Sequence, residues 1–358
     1  MPELEPPKQP SQLDVDGNVA APAPHSSASL EEPANHPYSR LSPDLVLSAA
    51  EAMGYETDAR IFALNSYENR VYQVGLQDGR SIILKFYRPG RWSDEQIFEE
   101  HAFTAQLADL EIPVAAPLSI GGQTMTNFEG FRIAVFDRLA GRAVDLENPD
   151  DLLSMGRFVG RLHAVGAQDD FKVRPQLSVQ RFGWDSRQFL LDSNFLEPEM
   201  RRAYETLSED LLAKVERRFA DAGPLCSLRL HGDCHMGNVL WRDETPHFVD
   251  FDDTLSGPAI QDLWMMLSGS RDQQQAQLLE LVEGYNEFFD FRPMELALIE
   301  SLRTLRLMNY SAWLARRWSD PAFPLSFPWF NTPRYFSQHI LELREQLAVL
   351  DEPPLRLI

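Results

Sequence analysis

His231-Gly232-Asp233-Cys234-His235-Met236-Gly237-Asn238, followed by Phe248-Val249-Asp250-Phe251-Asp252-Asp253, is the stretch on which the reading of this chain turns. An aspartate, an asparagine five residues on, and then an apolar strand ending in another aspartate is a spacing suited to gripping a divalent cation beneath a phosphate chain. A short loop can point the Asp233 carboxylate at an attacking hydroxyl while Asn238 turns its amide oxygen the other way. Asp250 adds a carboxylate to the same ion, because magnesium prefers oxygen ligands. Two plainer readings compete. His231, Asp233 and His235 alternate as zinc ligands can, but the eight histidines form no second cluster. A purely structural loop has to explain why Asp250, Asp252 and Asp253 crowd negative charge beside Asp233, which is costly unless a cation is present.

The 358 residues, 44% hydrophobic and 24% charged, suffice for one large core or two lobes. No apolar run is long enough to cross a bilayer, and Met1-Pro2-Glu3-Leu4-Glu5 lacks the basic and apolar regions of a signal peptide, so a cytoplasmic protein is expected. Cys226 and Cys234 are too few for a disulfide scaffold, and reduced thiols are expected. The formal charge is −21. Residues 1–43 carry six carboxylates against Lys8 and Arg40, leaving about −17 on the folded part. Such a surface repels nucleic acid and anionic membranes and attracts cations.

Along the chain, residues 1–38 are Pro-rich and acidic without apolar periodicity, the composition of a disordered tail. Ser42-Pro43-Asp44 starts a helix that ends near Gly54. Three antiparallel strands follow, around Ile61–Leu64, Arg70–Val74 and Ser81–Tyr87, with a turn at Asp78-Gly79. Lys85 interrupts the third strand and needs an anionic partner or an exit to solvent. Glu100, on a helix starting at Ser93-Asp94, is the preferred partner, ahead of Glu99. Segments 113–118 and 131–136 are expected to complete a five-stranded sheet. Residues 39–136 thus form a small lobe, 137–141 a hinge where an adenine could lie, and 142–350 a larger helical lobe, with 351–358 as a second tail. Helices are read over 152–163, 185–191, 199–219, 278–289, 295–318 and 335–350, and His163 is read as structural.

Lys85, Glu100, His231-Gly232-Asp233, Asn238 and Val249-Asp250 together resemble the kinase-like phosphotransferases that include aminoglycoside phosphotransferases, choline kinases and homoserine kinases. The likeness runs from about residue 45 to the C-terminus. Leu64–Tyr72, Lys85–Pro89 and Asp262-Leu263-Trp264 look like a bacterial group of stress-response serine/threonine protein kinases in particular. The resemblance implies an α+β, bilobal protein-kinase-like fold and a monomeric, cytoplasmic, self-phosphorylating enzyme using ATP and Mg2+. It also assigns roles. Asp233 would accept the substrate proton, and Asn238 and Asp250 would hold the metal, with Asp252 a further candidate. Lys85 would grip the ATP phosphates, Glu100 would hold Lys85, and Ser66 would lie on the loop over the phosphates.

Two departures stand out. The loop Asn65-Ser66-Tyr67-Glu68-Asn69 has no glycine, so it cannot bring bare backbone to phosphate and a side chain such as Ser66 must donate instead. Too few residues separate Asp250 from Asp262 for a long activation segment, and no peptide platform is expected. Three function classes therefore remain. A protein serine/threonine kinase would find acceptors at Ser11, Ser26, Ser27, Ser29 and Ser39. A small-molecule phosphotransferase would take a hydroxylated amine. A nucleotide-sensing scaffold would lack a Lys, Asp or Asn, and none is missing.

Overall fold

The computed structural model describes residues 36–357. Ser42 caps the first helix as its sequence predicts, its Oγ accepting from Leu45 N at 3.2 Å, and α1 (Pro43–Ala52) closes before Gly54, whose φ of +90° suits only glycine. Strands β1 (Thr57–Ala63), β2 (Arg70–Leu76) and β3 (Ser81–Phe86) then run antiparallel. Next comes α2 (Asp94–Asp109), started by a capping box between Ser93 and Gln96. β4 (Thr126–Phe128) and β5 (Phe131–Asp137) complete a five-stranded antiparallel sheet in the order β1-β2-β3-β5-β4.

The fifth strand is not the one expected. Segment 113–118 makes only isolated bridges, Val114 to Phe248 and Pro117 to Phe136, because two prolines deprive it of amide donors. The folded body also begins earlier than residue 39. Tyr38 is 2% exposed, its hydroxyl donates to Phe86 O at 3.1 Å, and its ring stacks on Phe131. At the other end Leu355 is buried and Arg356 N donates to Gln275, so the last residues lie against the body.

The remainder is mainly helical, giving the α+β, bilobal kinase-like architecture expected. Its helices are α3 (Pro149–Gly166), α4 (Asp185–Asp192), α5 (Pro198–Asp221), α6 (Ile260–Trp264), α7 (Arg271–Asn286), α8 (Ile299–Arg317), α9 (Ala322–Ser326) and α10 (Pro333–Val349). Between α5 and α6 lie four short strands: β6 (Leu228–Leu230), β7 (Val239–Arg242), β8 (Thr245–Phe248) and β9 (Leu255–Gly257), paired as β6 with β9 and β7 with β8. α3 and α7 touch backbone to backbone, since a Cβ on Gly156 would strike the Leu281 carbonyl and one on Gly284 the Leu153 carbonyl. One helical core surrounds α3, α6 and α7, and a second joins α4, α5, α8 and α10. Phe103 and Leu107 of α2 belong to the first, so the helix carrying Glu100 is anchored in the larger lobe. No helix among the described residues is long and apolar enough to cross a membrane.

Candidate active site between the lobes

β6 delivers His231 and Gly232 into the interior, and α6 receives them. Asp262 Oδ2 accepts from His231 N at 2.8 Å and Oδ1 from Gly232 N at 2.9 Å, while His163 Nε2 lies 3.0 Å from Oδ2. His163 is therefore structural, as expected. Gly232 has a φ of +88°, and a Cβ there would strike Asp253 O, so the loop passes directly over the segment holding the second group of aspartates.

The spacing from Asp233 to Asp250 is made by one hairpin. Asn238 Nδ2 donates to Asp233 O at 2.9 Å, which fixes the amide and leaves Oδ1 as its outward end. Val239–Arg242 then pairs with Thr245–Phe248 across a turn in which Asp243 and Glu244 both have positive φ. At its base Val249 N donates to Asn238 O at 2.9 Å, and Asp250 follows in a left-handed conformation, φ 59°. The two quoted stretches thus start and finish side by side.

Lys85, buried at the end of β3, meets more carboxylates than expected. Its Nζ is 3.0 Å from Asp252, 3.2 Å from Asp250 and 3.8 Å from Glu100. Glu100 is the partner contributed by α2, whereas Glu99 turns outward to accept from the backbone of Val173 and Arg174. Burial works against the charge on Lys85, but Asp252, Asp250 and Glu100 hold it well above its ordinary value. Asp252 is lowered against its burial by Arg91 and Lys85. Burial pushes Glu100 up to about 7, with Lys85 opposing.

These groups set an expected pH dependence of stability. Burial depresses His101 to about 3 and His339 to about 4. Between pH 6.5 and 4.5 the unfolded chain gains a proton at each histidine that the folded chain does not take up. Glu100 works the other way, so these three groups together leave an excess of about one proton in the unfolded state. Stability then falls with pH by about 1.4 kcal/mol per unit. Urea midpoints at pH 6.5, 5.5 and 4.5 measure it, and His339→Gln should flatten the slope; a midpoint that rises on acidification contradicts it.

Asp233 is held by an arginine and a histidine. Arg306 of α8 reaches Oδ1 at 2.5 Å and His235 Nε2 lies 3.5 Å from Oδ2. Burial alone would raise this carboxyl, but Arg306 and His235 keep it well below the usual range. Both nitrogens of His231 are engaged, Nε2 at 2.9 Å from Val249 O and Nδ1 accepting from Asp233 N, so it is not free to ligate zinc. What remains is an oxygen-only donor set, the Asn238 amide oxygen with the Asp250 carboxylate, of the kind a hard divalent cation takes, while both oxygens of the neighbouring Asp252 lie against Lys85 and Arg91. Asp250 is 52% exposed, with one oxygen on Lys85. Burial pushes the Cys234 thiol well above its ordinary range, leaving no reactive thiolate.

The glycine-free loop is rigid for a reason its own residues hide. Glu68 accepts from Trp313 Nε1 at 2.6 Å and pairs with Arg88 and Arg317, both at 2.9 Å. Asn69 Oδ1 accepts from Arg88 N, and Arg70 and Arg88 both pair with Asp320 at 3.1 and 2.6 Å. Side chains from α8 and the segment after it thus clamp the small lobe's loop. Ser66 is half-buried and its side chain makes no hydrogen bond among the described residues. Arg91, Arg174, Arg306, Glu68 and Asp320 were missed at the sequence level. Arg91 contacts Asp252 and pairs with Asp253 at 2.5 Å, and Arg174 donates to the carbonyls of Asp252 and Thr254. Only an arginine at the edge of the apolar stripe of α8 hinted at Arg306.

Residues 60–297 match the phosphotransferase enzyme family. The chain is 43% identical over 320 residues to Stress response kinase A of Escherichia coli (strain K12), covering 89% of this chain and 97% of that protein. It is 42% identical, over the same shares, to the serine/threonine protein kinase RdoA of Salmonella typhimurium. Among solved structures, an amicoumacin kinase in complex with AMP-PNP, Ca2+ and Ami superposes with a TM-score of 0.68 at 19% identity, over 87% of this chain and 94% of that one. The chain belongs to the phosphotransferase enzyme family, whose reaction here is the transfer of a phosphoryl group to a hydroxyl.

Proposed function

We propose that the chain is an ATP- and Mg2+-dependent serine/threonine protein kinase of the cytoplasm that also phosphorylates itself. The observation that carries the reading is the β7–β8 hairpin, which sets Asn238 beside Val249 and so brings Asp233, Asn238 and Asp250 to one place. In this reading Asp233 orients the acceptor hydroxyl and takes its proton. Asn238 and Asp250 hold Mg2+, with Asp252 beside them, and the ion neutralises charge on the phosphates when bound. Lys85 grips the ATP phosphates and Glu100 keeps Lys85 in place. Ser66 donates from the clamped loop, and the adenine lies against 137–141, where Arg142 is tied to Trp241 by a backbone pair at 2.8 and 2.9 Å. A protein acceptor is supported by the likeness to the serine/threonine protein kinase RdoA of Salmonella typhimurium.

One observation favours a small-molecule acceptor instead. Asp250 is followed at once by a 3-10 turn (Phe251–Asp253), β9 and α6, so no long segment offers a peptide platform. Mass spectrometry after incubation with Mg2+ and ATP tests the choice. Phosphate on the protein's own serines or threonines, abolished by EDTA, is expected. Ser11, Ser26, Ser27 and Ser29 lie outside the described residues; Ser39 lies within them, its hydroxyl donating to His36 O. An unmodified protein that turns over an aminoglycoside, choline or homoserine in a coupled ADP assay would carry the small-molecule reading.

A further inference from the structure

A chain with a formal charge of −21 should draw cations, yet α8, which pairs with Asp233, and the turn packed on it carry arginines. α8 supplies the first. Arg306, Tyr310, Trp313 and Arg317 follow one another at helical spacing. Trp313 and Arg317 hold Glu68 of the loop, while Arg306 holds Asp233, so this face runs from the clamped loop to the carboxylate. The side chain of Arg306 is 39% exposed, open to an incoming group. Arg181 supplies the second. It sits on the π-helical turn Gln180–Trp184, pressed onto α5 and α8, since a Cβ on Gly183 would strike Leu212 of the first and Leu305 of the second. Arg181 is exposed, lies in the field of Asp253 and Arg91, and makes no ion pair within 4.0 Å among the described residues. Arg316 lies in the field of Arg181 and, among the described residues, its side chain donates only to the Asp185 carbonyl.

We infer that the acceptor is a serine or threonine flanked by carboxylates, with Arg306 and Arg181, aided by Arg316, as the groups that select it. The inference rests on the protein-kinase reading above. As the hydroxyl oxygen bonds to the γ-phosphorus and the bond to the ADP oxygen breaks, the hydroxyl proton passes to Asp233. For that, Arg306 must release Asp233. A carboxylate beside the hydroxyl gives the guanidinium a two-pronged partner and frees the base. A cationic acceptor would instead set like charge against Arg306 and Arg181. The general acidity of the surface therefore misleads about the acceptor. The chain's own sequence contains matching hydroxyls: Ser29 is followed by Glu31 and Glu32, and Ser11 by Asp14 and Asp16.

The test uses the full chain and three peptides, each with one serine in a neutral frame flanked by Glu, Ala or Lys. Binding is read by fluorescence anisotropy with AMP-PNP and Mg2+, and transfer with ATP. The Glu peptide should bind about tenfold more tightly than the Ala peptide and the Lys peptide most weakly, the size of one good charged contact. Arg181→Glu and, separately, Arg306→Gln should shrink that margin. Self-labelling should fall on Ser29 and Ser11 ahead of Ser26 and Ser27. Equal binding of the three peptides, preference for Lys, or a Glu preference untouched by both substitutions overturns the inference. A Glu preference in binding, lost in the variants, with no phosphate transferred to any peptide upholds the arginine platform and overturns the protein-kinase reading instead.

Discussion

Asp233→Asn is expected to lower phosphate transfer from ATP by about 10³-fold while leaving ATP binding near that of the parent. The amide keeps the shape of the carboxylate but cannot take a proton. It also faces Arg306, whose guanidinium at 2.5 Å loses its counter-charge. That second effect bears on how the result is read, because a folding defect would also abolish activity. Packing around Asp233 is close enough to desolvate its carboxylate, but the Asp233 and Arg306 side chains remain 27% and 39% exposed, so water screens the pair and its loss costs stability on the order of 1 kcal/mol. A buried pair would cost several. The thermal midpoint should thus barely move while transfer collapses. Labelled ATP measures the first quantity, nucleotide titration the second and a melting curve the third. A variant that labels itself at the parent's rate removes Asp233 from the reaction.

What could be read from the sequence was whatever short-range chemistry specifies. The Ser42-Pro43 and Ser93–Gln96 starts, the Asp78-Gly79 turn and the apolar strand leading into Asp250 are local patterns, and each appears where its residues place it, whereas the partner strand Val239–Arg242 that makes the last a hairpin was not read. α7 begins at Arg271, well before the expected 278, because its first turns are polar and carry no apolar rhythm; only the capping box of Ser270 with Gln273 marks the start. β4 is three residues long and exists by pairing with β5, which no window of sequence reveals. The same limit governs the site. Lys85 could be seen to need an anion, and Glu100 stood at a suitable spacing, but the nearer partners Asp250 and Asp252 arrive from the far lobe. Arg306 is separated from Asp233 by three strands and two α-helices, and its place at the edge of the apolar stripe of α8 does not say which group it meets.

Asp262→Ala should do damage of a different kind, lowering stability by about 3–5 kcal/mol and removing turnover from whatever fraction still folds. Asp262 is 1% exposed, and its two oxygens serve three partners: the amides of His231 and Gly232 and the imidazole of His163. Alanine leaves two buried amide donors without acceptors where water does not reach, each at a cost of about 1–3 kcal/mol. The loop cannot shift to find others, because Gly232 is already pressed against Asp253 O and Gln261 Nε2 holds its carbonyl at 3.0 Å. Against a typical total of about 5–15 kcal/mol this is a large share. Asp262→Asn should be little better, since its amide turns an N–H toward a backbone N–H. Both substitutions act on chemistry through position alone, as Asp233 follows Gly232 directly in the chain. The contrast with Asp233→Asn is the informative part. There transfer falls with the midpoint nearly constant, whereas at Asp262 the urea midpoint and the turnover should fall together. A variant at 262 that keeps both would mean that Asp233 is positioned by something other than this buried carboxylate.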